Sequence, residues 1–562
     1  KDTVGELGTD KWWIIEVVET KTVEVAMCLK PHVPRIMPIK MQRLGNILLA
    51  ADSPYRLVGD RMYAECRETD FADLYPSEGQ PALSPVDLAF VTIFQYLEDL
   101  SDRQAAEAMR VRLDWKYALH QTVDYAGFNF SVLSEYRARL VEHKAERRVF
   151  ETALDQLKGL GMLKARGRQR TDSLAVLTRV RTLNRIELVV ETLRLALEAL
   201  LAVEVDWTRA TLPPTWEELY GKRCVAERLS KKELALLQDG TGQDGQWLLD
   251  RLDAPSTPKG LSELPEVKVL RTVWAQQYEV RDQTVVFQTP GAYDGETRIQ
   301  SPHDPEARWS KKRDQEWIGD KLQVTETDDE GFPHLITDIA LTSSVESDQM
   351  ALGEIQQRQA ESDVAPASRF VDAGYVSGQT LATSQECGED LVGPAAAAHS
   401  PQSRLVDGIT LAQFELDLEQ GIAHCPGCQQ TAGRHLADGS WHFKFATDTC
   451  AECLLRARCC TGQGGRSLTL GAYYAELETA RLRQQTETFK AEYRLHRGGV
   501  EGCLSALVRG LGIRVNRYTK RAKNNLRVLF VSVAVNIRRT TRWMAGLRPQ
   551  QRHTGLGLAV AR

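Results

Sequence analysis

The feature that most restricts this chain is the order of its apolar segments. In KARGRQRTDSLAVLTRVRT, the β-branched and apolar residues from Thr171 to Val180 have the composition of a buried strand. Residues 183–300 are mostly helical and then irregular, and read as a module inserted between strands. Strand patterns resume at KLQVTET (321–327) and HLITDIALT (334–342). An amphipathic helix, VESDQMALGEIQQRQAE, then leads to an apolar strand ending at Phe370, Val371 and Asp372. AGYVSGQTLATSQECG supplies a turn and a helix, and DLVGP a short strand. The order strand, strand, strand, helix, strand, helix, strand predicts an α/β sheet with helices packed on it.

Upstream the pattern is helical. Ser84 or Pro85 opens a helix in PALSPVDLAFVTIFQYLEDLSDRQAAEAMRVRLDWKYALH, and Ser101 begins a second, so 85–122 reads as a helix-turn-helix-like array. A further helix is expected over 131–160, ended by Gly159 and Gly161. Residues 1–50 show neither clean period and stay unassigned. A chain of 562 residues exceeds one core, and about three or four domains follow from the usual domain size. No apolar run approaches the roughly 20 residues that span a bilayer, so no membrane association is expected and the cytosol is the expected location.

The net charge of −5 conceals a polarity along the chain. Residues 51–100 hold ten acids against three bases, and 101–182 sixteen bases against ten acids. From Arg494 to Arg542 there are twelve Lys and Arg side chains and one acid, Glu501. Such asymmetry points to separate surfaces for a polyanion. Asp172 is likewise the single acid among six bases between Lys164 and Arg181. Asp372 closes a strand and precedes Ala373, Gly374 and Tyr375, which puts it at the carboxyl edge of the sheet, where open α/β folds bind ligands. Glu501 flanks the apolar stripe Val500, Cys503, Leu504, Leu507 and Leu511 of a helix. If these carboxylates converge, they form a hard-oxygen site for two Mg²⁺ or Mn²⁺ ions, the arrangement that serves phosphodiester displacement. Taken singly, each is equally well an exposed or paired acid.

Of eleven cysteines, six lie between 425 and 460. CPGC (425–428) and CAEC (450–453) have the spacing of a structural zinc site, with Cys459 and Cys460 just beyond. Four of Cys425, Cys428, Cys450, Cys453 and Cys459 are the expected ligands, and Cys459 is able to replace Cys428.

The stretches GQPALSPVDLAFVTIFQYLEDLSDRQAAEAMRVRLDWKYAL, FSVLSEYRARLVEH, SPHDPEARWSKKRDQEWIGDK, PHLITDIALT, VDAGYVSG and VEGCLSALVRGLGIRVNRYTKRAKNNLRVLFVSVAVNIRR resemble bacterial insertion-sequence transposases of the DDE class. The resemblance implies a ribonuclease H-like catalytic core, a mixed five-stranded sheet with helices, interrupted by insertions and preceded by an all-α N-terminal domain. It assigns Asp172, Asp372 and Glu501 as the catalytic acids that hold two Mg²⁺ ions, and it favours Cys425, Cys450, Cys453 and Cys459 as the recurring cysteines. The domains it suggests are a helical DNA-binding region at 51–163, the core at 164–182 and 300–398, a helical insertion at 183–299, a cysteine-rich zinc insertion at 399–468, the Glu501 part of the core at 469–545, and a flexible tail at 546–562.

The expected partner is DNA, both terminal inverted repeats and target, bound by at least a homodimer in the bacterial cytoplasm at the nucleoid. Candidate DNA contacts are Arg103, Arg110, Arg112 and Lys116 on the N-terminal helices, and Lys311, Lys312 and Arg313 before a core strand. Arg509 and the basic loop 514–525, with Arg514, Arg517, Tyr518, Lys520, Arg521 and Lys523, complete the set. The activity expected is metal-dependent strand cleavage and strand transfer. A cleavage-silent, transposon-derived DNA-binding regulator and a nuclease without strand transfer are the alternatives.

Overall fold

Arg168–Leu177 (β1) becomes the central strand because it finds a partner on each side. The computed structural model describes residues 28–29 and 35–548, apart from 283, 290, 292–294, 313, 398–399 and 461. Most of the unassigned N-terminal stretch, Arg313 and the tail beyond 548 lie outside the described residues. Arg308–Lys312 (β2) and Gln315–Thr327 (β3) form a hairpin, and β3 runs antiparallel to β1 from Gln169↔Thr327 to Leu177↔Gly319. Ile336–Ser343 (β4) pairs antiparallel with the other edge of β3. Ser368–Phe370 (β5) lies parallel to β1, and Asp390–Val392 (β6) parallel to β5. The core order is therefore β4, β3, β1, β5, β6 with β3 reversed, the ribonuclease H-like arrangement. The sheet has six strands rather than the expected five. The extra one is β2, whose RWSKK reads as a loop in sequence because exposed lysines are what an edge strand carries.

The N-terminal helices pack onto this sheet through one long helix. Pro85–Leu97 (α1) starts where expected, with the Ser84 side chain accepting the Asp87 N–H and Pro85 in the first turn. Asp102–Val111 (α2) follows with a Ser101 capping box. The helix expected over 131–160 is two, Ser131–Glu142 and Arg148–Gly159, broken where Lys144 takes a left-handed conformation (φ 55°). Later in the chain come Asp348–Glu361 (α3), Glu487–Arg497 (α4), Gly499–Leu511 (α5) and Arg521–Met544 (α6). The expected loop 514–525 thus ends at Lys520, where α6 begins.

Residues Leu526–Ile537 of α6 are buried on every side, the pattern of a helix enclosed by protein. One side meets β4; the other meets α1 and the helices Ser131–Glu142 and Arg148–Gly159. Helical region and sheet consequently share one hydrophobic core. The polar residues of α6 have a task there. Asn536 accepts the Ile336 N–H and donates to the Ile336 carbonyl, both at 2.8 Å, and Asn525 accepts the Leu341 N–H at 3.0 Å. These bonds satisfy the free edge of β4, which would otherwise be buried unpaired.

Two of the other hydrophobic clusters lie away from this sheet. Residues 185–287, five helices and a hairpin, bury their own cluster around Leu193, Leu248 and Trp274. Residues 415–470 form a small five-stranded sheet around Phe443.

Replacing Asn536 with Leu should destabilise the protein by about 1–3 kcal/mol for each of the two Ile336 backbone groups left unbonded. Far-UV circular dichroism and tryptophan fluorescence in a urea titration are the measurements. An unchanged midpoint would rule out the edge-sealing role.

Candidate active site

Side chains of β1 alternate between the two faces of the sheet. Gln169 and Thr171 join a buried polar network with Thr337, Gln359 and Arg369, and Arg369 is itself paired with Glu389 at 2.6 Å. Arg170 and Asp172 share the opposite face. The parallel register sets Arg170 opposite Phe370. Carried two residues further on each strand, it brings Asp372 level with Asp172.

Asp172 is 8% exposed. Its Oδ1 accepts the Ser173 N–H at 2.8 Å, and its Oδ2 is paired with Arg497 Nη2 at 2.8 Å. Burial pushes its pKa above the ordinary carboxylate value; Arg497 and the Ser173 N–H oppose this, and the charge of Asp372 adds to the rise. Asp372 is half-buried just past β5, and its Oδ1 accepts the Gly374 N–H at 2.9 Å. A Cβ at position 374 would lie 3.0 Å from both that oxygen and Asp348 Oδ2, so only glycine fits without displacing a carboxylate.

Asp348, in the first turn of α3, is thus a third acid at this edge that the sequence did not single out. Lys321 Nζ and Gln323 Nε2 each hold its Oδ1 at 3.2 Å. Tyr375 is buried among the three aspartates. Burial first, then the charges of Asp348, Asp172 and Asp372, push its phenol far up, and its hydroxyl donates to Gln323. Tyr493 on α4 donates to the Val371 carbonyl at 3.0 Å, and burial raises its pKa. Arg497 and Asp348 escaped notice because a helix-end arginine and an acid in a first helical turn are what any helix carries.

Glu501 is placed differently. It stands in the first turn of α5, and the chain passes from α4 into α5 through Gly498 in a helical conformation. Its carboxylate is exposed and forms no ion pair among the described residues. The structure therefore brings Asp172 and Asp372 together and leaves Glu501 one helical turn beyond Arg497. Among the described residues no three His, Cys, Asp or Glu side chains are grouped to hold a metal ion.

The same holds for the cysteines, so the expected zinc tetrad is not assembled. Cys425 and Cys453 flank Gly427, with sulfurs 3.6 and 3.3 Å from where its Cβ would be, while Cys428 is exposed. Cys459 is buried beside Cys450 and Cys460, and burial pushes its thiol up to about 11.

The expected DNA contacts divide by exposure. Arg103 is exposed, over the Phe130 ring at 4.1 Å; Arg110 is exposed and pairs with Glu107; Arg509, Lys520 and Lys523 face solvent. Lys311 and Lys312 project from β2, Lys311 toward Glu316 at 2.9 Å. Others turn inward. Arg112 binds Glu98 and Asp114, Lys116 donates to the Val123 carbonyl, and Arg521 binds Asp320 and Glu306. Tyr518 meets the Tyr96 hydroxyl at 3.2 Å. Arg517 lies 3.7 Å from Asp99, and Arg514 is half-buried with its carbonyl bonded to Leu177.

Comparison with known families places this geometry. Residues 424–541 match the family described as Transposase DDE domain, and residues 45–139 match Transposase domain (DUF772). The first match includes Glu501 and α6; the second covers α1 and α2. No curated protein and no solved structure gave a significant match. Two stretches of the chain are thus similar to transposase families, and the ribonuclease H-like order of the sheet agrees with the DDE one.

Because Asp372 raises and Arg497 lowers the Asp172 pKa, Asp372→Asn should bring that pKa down and Arg497→Gln should push it up. Carboxyl-carbon NMR of aspartate-labelled protein reads both. Identical Asp172 titrations in parent and variants would contradict the contacts.

Proposed function

We propose that this chain is a transposase that binds the terminal inverted repeats of its element, cuts a DNA strand there and joins the freed 3′-hydroxyl to target DNA. The single observation that carries this reading is the register-set pair Asp172 and Asp372 at the carboxyl edge of the parallel strands. The donor set fits a hard divalent cation. Both groups are carboxylates, each has one oxygen held by a backbone N–H, and their mutual repulsion is what a shared cation relieves. When bound, Mg²⁺ or Mn²⁺ ions supply Lewis-acid activation of water or of the 3′-hydroxyl.

The chain's own residues do the rest. Asp172, within β1, and Asp372, just past β5, would hold the metal from positions that cannot shift without breaking the sheet. Arg497 neutralises Asp172 until DNA arrives, then turns to the scissile phosphate, and Glu501 joins the two aspartates from the same helical run. Tyr375, kept neutral, and Tyr493 fix the backbone around Asp372. Arg103, Arg110, Arg509, Lys520 and Lys523 offer exposed charge to the DNA backbone. Two ends have to be held together for joining, so the active assembly contains at least two copies.

The test mixes purified protein with labelled terminal-repeat DNA, a target plasmid and Mg²⁺, alongside Asp172→Asn. Joined products are expected, reduced roughly a thousandfold in the variant, the loss that follows when several kcal/mol of transition-state charge stabilisation go. Binding without cutting would point instead to a silent regulator, and cutting without joining to a nuclease. Since metal binding needs ionised Asp172 and its pKa is raised, cleavage should be retained above that pKa and fade below it, at a pH higher than an ordinary aspartate would give. A pH–rate profile checks this.

A further inference from the structure

Between Arg170 of β1, the start of α5 and the end of α6 lies a cavity of about 410 Å³ with an unusual charge balance. Its floor is neutralised: Arg170 and Arg539 both bind the buried carboxylate of Glu326 at 2.7 Å. Its wall is not. Arg538 and Arg542, on successive turns of α6, have no acidic partner among the described residues. Burial lowers the Arg538 pKa, and the charges of Arg539 and Arg542 lower it further, so the wall repels itself and lacks an anion. Next to these arginines Trp543 lines the cavity. Arg548 stacks on one face of its ring at 3.6 Å. The opposite wall is the first turn of α5, where Gly499 packs against the Arg170 guanidinium and Gly502 has nothing within 4 Å of where its Cβ would be, so backbone is open to a ligand there.

Unpaired guanidinium groups beside an indole and exposed helix backbone match a phosphate joined to a flat aromatic base. The volume lies within the roughly 300–1,000 Å³ range of pockets for small ligands, too small for a duplex. The position is also specific. Gly499 and Gly502 bracket Glu501, and Arg170 on the floor lies two residues from Asp172 on the same face of β1.

We propose that the cavity is a subsite for one unpaired nucleotide of the DNA strand, with its phosphate on Arg538 and Arg542 and its base against Trp543. The site rests on the transposase reading above for the identity of the strand, but its binding is separable from cleavage. It holds the strand beside the acids without taking part in bond making.

Full-length protein is irradiated with single-stranded oligonucleotides carrying 5-iododeoxyuridine at successive positions, and the crosslinked peptide is mapped by mass spectrometry. Crosslinking at Trp543 is expected from one or two positions only, retained in Trp543→Phe and lost in Trp543→Leu. By fluorescence anisotropy, Trp543→Leu should bind the same oligonucleotide between about fivefold and 150-fold more weakly, the range for loss of one base stack. Arg538→Gln with Arg542→Gln should flatten the slope of log affinity against log salt by about 0.7 for each phosphate released. Thermal melts matching the parent show that these surface changes leave the fold intact. Crosslinks mapping elsewhere, or variants with parental affinity and slope, overturn the subsite. Asp172→Asn distinguishes the two readings: it should keep the Trp543 crosslink while losing cleavage. A crosslink beside Asp172-independent cutting would sink the catalytic reading and spare the subsite.

Discussion

A fully buried carboxylate, Glu326, governs much of this architecture. Burial alone would drive it neutral, yet Arg539 and Arg170 hold it below the usual range. Such an arrangement tolerates no missing partner, because removal of one side of a buried pair typically costs about 3–5 kcal/mol. Glu326 is on β3, Arg170 on β1 and Arg539 on α6, so one charge fixes three elements that are far apart in sequence. Arg170 also packs against Gly499, where a Cβ would strike its guanidinium, and this lets the start of α5 approach the sheet. The same group donates to Asp328 and to the His496 carbonyl, which anchors the end of α4.

The edge that carries Asp172 and Asp372 inherits its geometry from that anchoring. With α4 held at His496, the next residue, Arg497, reaches Asp172; with β1 held between β3 and β5, Asp172 lies beside Asp372. The repulsion between the two aspartates and the burial of Asp172 leave the site electrostatically poised for a cation. Neighbouring arginines of α6, unlike Arg539, meet no acid and face a cavity. Among the described residues Arg539 is paired with Glu326, while Arg538 and Arg542 have no ion-pair partner.

Much of this was legible along the chain. Strand order and the α1 start at Ser84 and Pro85 follow from local chemistry. The acids isolated among bases drew attention to Asp172 and Glu501, and a strand end followed by Gly374 drew it to Asp372. Arg112, Lys116 and Arg521 were not legible as internal groups. A basic side chain looks the same in sequence whether it meets a phosphate or a carboxylate of a distant segment. β2 was missed for a related reason, its lysines being consistent with a loop and with a sheet edge.

Sequence by itself determined the alternation of elements, the residue types able to hold a divalent cation, and the presence of three compositionally distinct stretches. These are local properties, set by periodicity, capping and composition within a few turns. Tertiary structure alone decided that Asp172 and Asp372 share an edge, that Asp348 joins them, that Glu501 faces solvent, and which arginines remain unpaired. Each of those outcomes depends on strand register or on contacts spanning a hundred residues or more, and such contacts are fixed by burial and charge compensation across the whole core.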